Sequence, residues 1–371
     1  MPGLATMPGN AALTQRWSEA LSDALADLAW SSDGGSLFAG STDGRIVRFE
    51  DGGESRATWQ AHGAGVTRLA IKPGDDTLLA SAGEDGHVTL WHSQSGERQA
   101  LLAEEGSWVE LLAWTPDGRV LAAAASKTLS VWRGEESLGF WYDVQRRILA
   151  MDWAPDSRRL ATASNKGLYL WRLGEEGSGH GEPMQLLSFP GAPVSVAGEP
   201  RGRALAVGTQ DGFLQVWRQA SGSKGPRAVG KASQLTMRGY PGKVTCLAWH
   251  PFTPLIATAG GPDVVLWKLP QTGKGAKGQP LREHKKTIVK LAWSPDGQQL
   301  ASGDRSGLLC LWSRAGELLH SQPMDNEISV LSWCPDCTAL AVGDTGGQLR
   351  VFDNNSFDHS PHHQPESGGA R

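Results

Sequence analysis

Residues 291–312 read LAWSPDGQQLASGDRSGLLCLW. The stretch returns with drift at 28–49 (LAWSSDGGSLFAGSTDGRIVRF), 69–91, 112–132, 151–171, 196–217, 247–267 and 331–352. The closing aromatics stand at 49, 91, 132, 171, 217, 267, 312 and 352, in steps of 39 to 50 residues. Self-similarity at such a period means one structural unit copied along the chain. Each copy has an apolar run ending near Trp and then a turn such as Pro295-Asp296-Gly297. Proline presets φ for the turn, and glycine accepts the conformation that follows it. A second run, a Gly/Asp turn and an alternating third run complete the copy. Short runs between turn residues read as strands, and no copy has a pattern long enough for a helix. The spacer after each closing aromatic supplies a fourth strand, for instance Ser55–Gln60.

The repeat accounts for a compositional oddity. Sixteen Trp stand against eight Phe. Six of them (30, 114, 153, 249, 293, 333) end the first run of a copy, and six (91, 132, 171, 217, 267, 312) close the third. Trp17 and Trp59 fall on outer strands, which leaves Trp108 and Trp141 outside the repeat roles.

The LAWSPDG…LASG…DG…LW pattern resembles the WD-repeat family of β-propellers over roughly residues 13–353. The resemblance implies an all-β fold: a single eight-bladed β-propeller of four-stranded antiparallel blades, with seven blades as the alternative. Four-stranded units cannot bury both faces alone, and a ring of them can. Family propellers close by lending the first strand to the last blade, and Leu13–Trp17 fits that role. The domain reading is a flexible N-terminus (1–11), a propeller (12–353) and a disordered tail rich in His and Pro (354–371). The resemblance also implies a structural hydrogen-bond chain of His, Ser/Thr, Asp and Trp in a blade. Blade two carries His62, Ser81, Asp85 and Trp91. Blade seven keeps His284, Ser302 and Trp312 but has Ser306 where Asp is expected. Blades one and five keep Asp43 and Asp211 but lack the His and the Ser. The His–Ser–Asp set is read as structure, since a catalytic triad is recognised by geometry and roles.

A disordered chain is excluded by 39% hydrophobic and 20% charged residues. No run approaches the ~20 apolar residues of a membrane helix. Met1–Asn10 lacks a basic region followed by an apolar run, so no signal peptide is expected. Four cysteines make no disulfide scaffold, and a cytoplasmic location is expected. No phosphate loop is present: Thr272–Gly278 is Gly- and Lys-rich but lacks the required spacing. No cofactor and no enzymatic activity are expected.

Function is therefore sought on the propeller faces. The segments preceding each blade offer Trp108, Trp141, Tyr142, Arg146, Arg147, Tyr240, Lys243, Lys285 and Lys286 as candidates for binding a protein partner, because aromatic residues and Arg are enriched at hot spots. The resemblance implies a non-catalytic scaffold, a monomeric propeller within a complex. Three insertions, Gly174–Pro183, Gln219–Ser233 and Pro270–Pro280, read as flexible loops. Residues 218–286 hold twelve Lys/Arg against Asp263 and Glu283, whereas residues 1–120 hold seventeen acids and eight bases. Nucleic-acid binding by the basic sector ranks below protein binding. The alternative function is metal-based. Cys334-Pro335-Asp336-Cys337 replaces a Ser-Pro-Asp-Gly turn, and the tail carries His359, His362 and His363. Two thiolates and one or two imidazoles form a zinc ligand set.

Overall fold

The computed structural model describes residues 13–50, 52–104, 106–141, 146–173, 185–187, 191–218, 233–270 and 275–354. Tyr142, His359, His362, His363 and most of the two terminal segments lie outside these. The described residues form thirty-two strands in eight four-stranded antiparallel sheets. Eight blades are thus present, and the seven-blade alternative falls.

Sheet order follows chain order in every blade except the last. There Ile328–Trp333, Ala339–Asp344 and Gln348–Asp353 are completed by Thr14–Ala20 from the start of the chain. The closing strand runs from Thr14↔Asp353 to Ala20↔Gln348. It extends past the expected Trp17, and Leu13 packs into the boundary between blades seven and eight.

The first strand of each blade touches the first strand of the next, and Ile328–Trp333 touches Leu25–Trp30, so these inner strands ring a central channel. In seven of the eight inner strands the register slips just after the first residue, as at Leu25/Asp27, Val66/Arg68 and Ile288/Lys290. The slip is a β-bulge, and it places equivalent residues of different blades at one height on the ring.

Packing is between blades. Eight buried apolar clusters each draw on two neighbouring blades. The Trp that ends an inner strand adds a hydrogen bond there. Trp30, Trp114, Trp153, Trp249, Trp293 and Trp333 each donate the indole N–H to a carbonyl on the preceding blade's inner strand, at 2.9–3.2 Å. Burying the ring while pairing its one donor is the favourable use of Trp. The Trp on the outer strand of one blade meets the closing aromatic of the next. Trp17 lies 5.4 Å from Phe49, and Trp59 lies 6.2 Å from Trp91, between ring centroids.

One expected loop is partly strand. Within Pro270–Pro280, Lys277–Leu281 is the outer strand of blade six, paired from Val264↔Leu281 to Lys268↔Lys277. Glycine lets it approach: a Cβ at Gly278 would fall 2.8 Å from the Trp267 ring.

Candidate functional site

Antiparallel order sorts the loops. Segments entering an inner strand, and turns between second and third strands, share one end of the ring, the top. Turns after first and third strands share the bottom.

Inside blade two the hydrogen-bond chain is complete. Trp91 Nε1 donates to Ser81 Oγ at 2.8 Å, Ser81 Oγ lies 2.7 Å from His62 Nε2, and His62 Nδ1 lies 2.9 Å from Asp85. Burial holds His62 below the usual histidine value, against the pull of Asp85. The neutral ring then accepts from serine and donates to the carboxylate. This sequence of groups matches that of a hydrolase triad, but Ser81 is 0% exposed and its oxygen already accepts the indole N–H. A substrate carbonyl cannot reach it.

Blade seven builds the same chain from Trp312, Ser302 and His284, at 2.8 and 2.7 Å. Its carboxylate is Asp304, 2.9 Å from His284 Nδ1. The expectation at Ser306 is corrected by two residues: Ser306 donates to Asp304 instead. Blade two has Gly83 at that position, where a Cβ would fall 2.3 Å from His62 Nδ1. A side chain that starts there is beside the imidazole.

Blade six carries the chain in another chemistry. Tyr240 Oη lies 2.6 Å from Thr258 Oγ1 and accepts from Trp267 Nε1 at 2.7 Å. Burial raises the phenol to about 12, so it stays neutral. Tyr240, a face candidate from the sequence, thus has its hydroxyl inside the blade. In blade four the remnant is Trp171 donating to Thr162 at 2.9 Å.

The remaining face candidates separate. Trp108 is 56% exposed on the top rim. Two residues on, Glu110 accepts Arg147 Nε at 2.8 Å, tying blade three to blade four, and Arg146 is exposed beside it. Lys243, Lys285 and Lys286 are exposed at the top of blades six and seven. Trp141 ends the outer strand Glu136–Trp141, and its side chain lies outside the described set. Arg238 stacks its guanidinium 4.4 Å from the Phe213 ring centroid, a top-edge pair the sequence reading missed. Phe252, 53% exposed on the bottom of blade six, was also missed. Its signal was legible: His-Pro-Phe-Thr-Pro breaks the Pro-Asp-Gly grammar there.

At the bottom of blade eight, Cys334 and Cys337 are free, buried thiols. Burial raises Cys334 to about 12 and Cys337 above its usual value, so both hold their protons at neutral pH. Asn354 Nδ2 donates to the Cys337 carbonyl at 3.0 Å, so the last described residue sits beside this turn. The three tail histidines lie outside the described residues. Among those described, one trio, His62, Asp85 and His87, brings possible ligand atoms within 4.8 Å of one another. Both ring nitrogens of His62 are already engaged in the blade. No helix among the described residues is long and apolar enough to cross a membrane.

The family model "WD domain, G-beta repeat" matches residues 53–92, 99–133, 143–172, 231–268 and 276–313. The chain is 26% identical over 284 residues to Telomerase protein component 1 of Mus musculus, covering 72% of this chain and 10% of that protein. It is 33% identical over 129 residues to Anaphase-promoting complex subunit cdh1 of Dictyostelium discoideum, covering 34% of this chain and 15% of that protein. The chain therefore spans only a small part of these relatives' lengths. The crystal structure of the computationally designed Ika8 protein superposes with a TM-score of 0.73 at 20% identity, over 93% of this chain and 99% of that one. That likeness concerns the fold.

Proposed function

The chain belongs to the WD-repeat family of β-propellers, and from that premise we propose that it is a non-catalytic scaffold whose top face captures a protein partner. The observation that carries this is Trp108. A 56% exposed indole at the top of blade three, two residues before the Glu110 that holds Arg147 of blade four, is the kind of anchor that dominates interfaces. Lys243, Lys285 and Lys286 extend the same face with positive charge, which fits an acidic partner surface and speeds encounter. The buried His62–Ser81–Asp85 set argues against hydrolysis. Relatives named for the anaphase-promoting complex agree with a role inside an assembly. Four free thiols suit a reducing, cytoplasmic setting.

The test is comparative capture from cells with wild-type protein and a Trp108→Ala, Arg146→Ala double variant. Partners that bind this face should be lost at least tenfold, with an unchanged melting midpoint. Equal recovery of every partner by both proteins would contradict the assignment.

A second reading is zinc held by Cys334, Cys337 and tail histidines, favoured by the hydrogen bond from Asn354 to the Cys337 carbonyl, which puts the residue before the tail histidines at this turn. It requires about one zinc per purified, tag-free chain and its loss on deleting residues 356–371. Metal-free protein with freely titratable thiols contradicts it.

A further inference from the structure

The channel carries charges that neither the repeat nor the face uses. Asp27, Arg68 and Lys290 each follow the bulge of an inner strand, in blades one, two and seven, so they stand at one height around the ring. The five other positions at this height are uncharged, Cys246 among them. All three charged side chains are partly exposed, although inner strands are covered on both flanks by neighbouring blades. Their access to solvent is through the channel.

The three are close enough to act on one another. Burial raises the Asp27 carboxyl above its usual value against the pull of Arg68 and Lys290, and Arg68 also pushes on Lys290. No pair among them forms a salt bridge. Asp27 accepts the backbone N–H of Leu69 at 2.9 Å. Arg68 Nη1 donates to the Thr67 carbonyl at 2.7 Å, which leaves the rest of the guanidinium fork unused. Lys290 makes no hydrogen bond and no ion pair with any described residue. Burial and Arg68 together hold it below the usual lysine value. The three positions thus hold two cations against one carboxylate, whose oxygens form no ion pair with either cation. A desolvated ammonium without a partner is unfavourable.

We propose that the centre of the channel is a binding site for a small oxyanion, phosphate or the phosphate group of a small metabolite, held between the Arg68 guanidinium and the Lys290 ammonium. Arginine's planar fork matches two oxygens of such a group, and lysine supplies a point charge from another blade. Asp27 fixes the Leu69 backbone and, where ionised, offsets part of the positive charge. The neutral remainder of the ring gives no reason for a polyanionic strand to thread it. A site at the axis touches two blades on opposite sides of the closing boundary, so its occupancy stiffens the ring where the chain ends meet.

The test uses intact protein and inorganic phosphate, with chloride at matched ionic strength as reference. Melting midpoints and calorimetric titration should show a saturable phosphate effect in the wild type. Lys290→Met and Arg68→Met should each weaken it at least tenfold, and Asp27→Asn should bind at least as tightly as the wild type. A Lys285→Ala, Lys286→Ala variant should be unchanged. Sulfate, of similar shape, should compete. A phosphate ester binding more tightly than inorganic phosphate would identify a metabolite as the source of the group. Absence of a saturable effect, or its persistence in Lys290→Met, overturns the proposal. So does its loss in the Lys285/Lys286 variant. Lys290→Met keeps the side-chain volume and should fold at low salt with a midpoint no lower than wild type. A large fall would show Lys290 to be structural and would also overturn the site.

Discussion

Tyr240 does in blade six what His62 does in blade two. Removing its hydroxyl takes the shorter acceptor from the Trp267 N–H and leaves it only Thr258 Oγ1 at 3.2 Å, with Thr258 keeping the Val265 carbonyl at 3.3 Å. Tyr240→Phe should cost about 0.5–1.5 kcal/mol, the net worth of a lost hydrogen bond whose partners keep a second one. A urea midpoint that does not move contradicts the role. Cys337 is a non-glycine residue at φ +67°, where the matching turns carry Gly34, Gly118, Gly202 and Gly297 at +68° to +74°. The left-handed conformation costs an L-residue about 1–2 kcal/mol. Cys337→Gly should recover about 1 kcal/mol, read as a higher urea midpoint at unchanged slope. If instead it destabilises, the thiol has a bonding role the turn does not show.

Two kinds of buried group, histidine and carboxyl, set opposite pH dependences. His62 and His284 are held below 6.5 by burial, so the fold prefers them neutral. Their contribution is full above the unfolded value near 6.5 and is lost as pH falls below it. Asp152 is raised from 3.8 to about 6 by burial, so the fold prefers it protonated. Its contribution is full below pH 3.8 and is lost as pH rises through about 6. Asp152→Asn should flatten stability between pH 4 and 6 and raise it at pH 7 by about 1–3 kcal/mol. Urea titration across this range checks both signs. At this scale the sequence showed the His-Ser-Asp-Trp set of blade two outright. It hid Asp304 and Tyr240, because the position of a side chain's reaching atom, not its place in an alignment, decides which group meets the indole.

Among the elements, the inner-strand Trp acts as a staple between blades. The repeat exposed its position in the sequence, whereas its acceptor is a main-chain carbonyl of the preceding blade and leaves no sequence mark. Two boundaries lack the staple, because Ile71 and Gly198 stand where Trp would. At both, a carboxylate of the preceding blade takes a backbone N–H: Asp27 from Leu69 at 2.9 Å, and Asp152 from Gly198 at 2.6 Å. Neither Asp could be told from a solvated one before the ring register was known.

The boundary between blades four and five is also thinly packed. Among the described residues its buried cluster is Ala161, Ala163, Leu168, Val207 and Trp217, against eleven residues between blades three and four. Sub-global opening follows the least buried seam. Backbone hydrogen exchange should be faster in Gly167–Arg172 and Ala204–Thr209 than in Leu121–Ala125 and Thr128–Arg133. Equal protection across the ring would contradict a weak seam.

The whole molecule is a ring with one join. Fold class and blade number were readable because eight imperfect copies agree, and the joining strand was readable because one strand was needed. The surfaces were less so. Exposure of Trp108 and the convergence of Asp27, Arg68 and Lys290 on the axis are properties of closure, and no local pattern encodes them. Charge is uneven along the chain: the first 120 residues are acidic and residues 218–286 are basic.

Everything above depends on that join. Thr14–Ala20 pairs Gln348–Asp353, Arg16 reaches Asp353 at 2.5 Å, and Trp17 packs on Phe49 of the first blade. Its removal opens a strand edge and a blade boundary together. The decisive measurement is the thermal melt of a chain lacking residues 1–20 beside the full chain. A closed eight-bladed ring predicts a clearly lower midpoint, loss of protease resistance and self-association through the exposed edge. A truncated chain that stays monomeric and melts where the full chain does would contradict it.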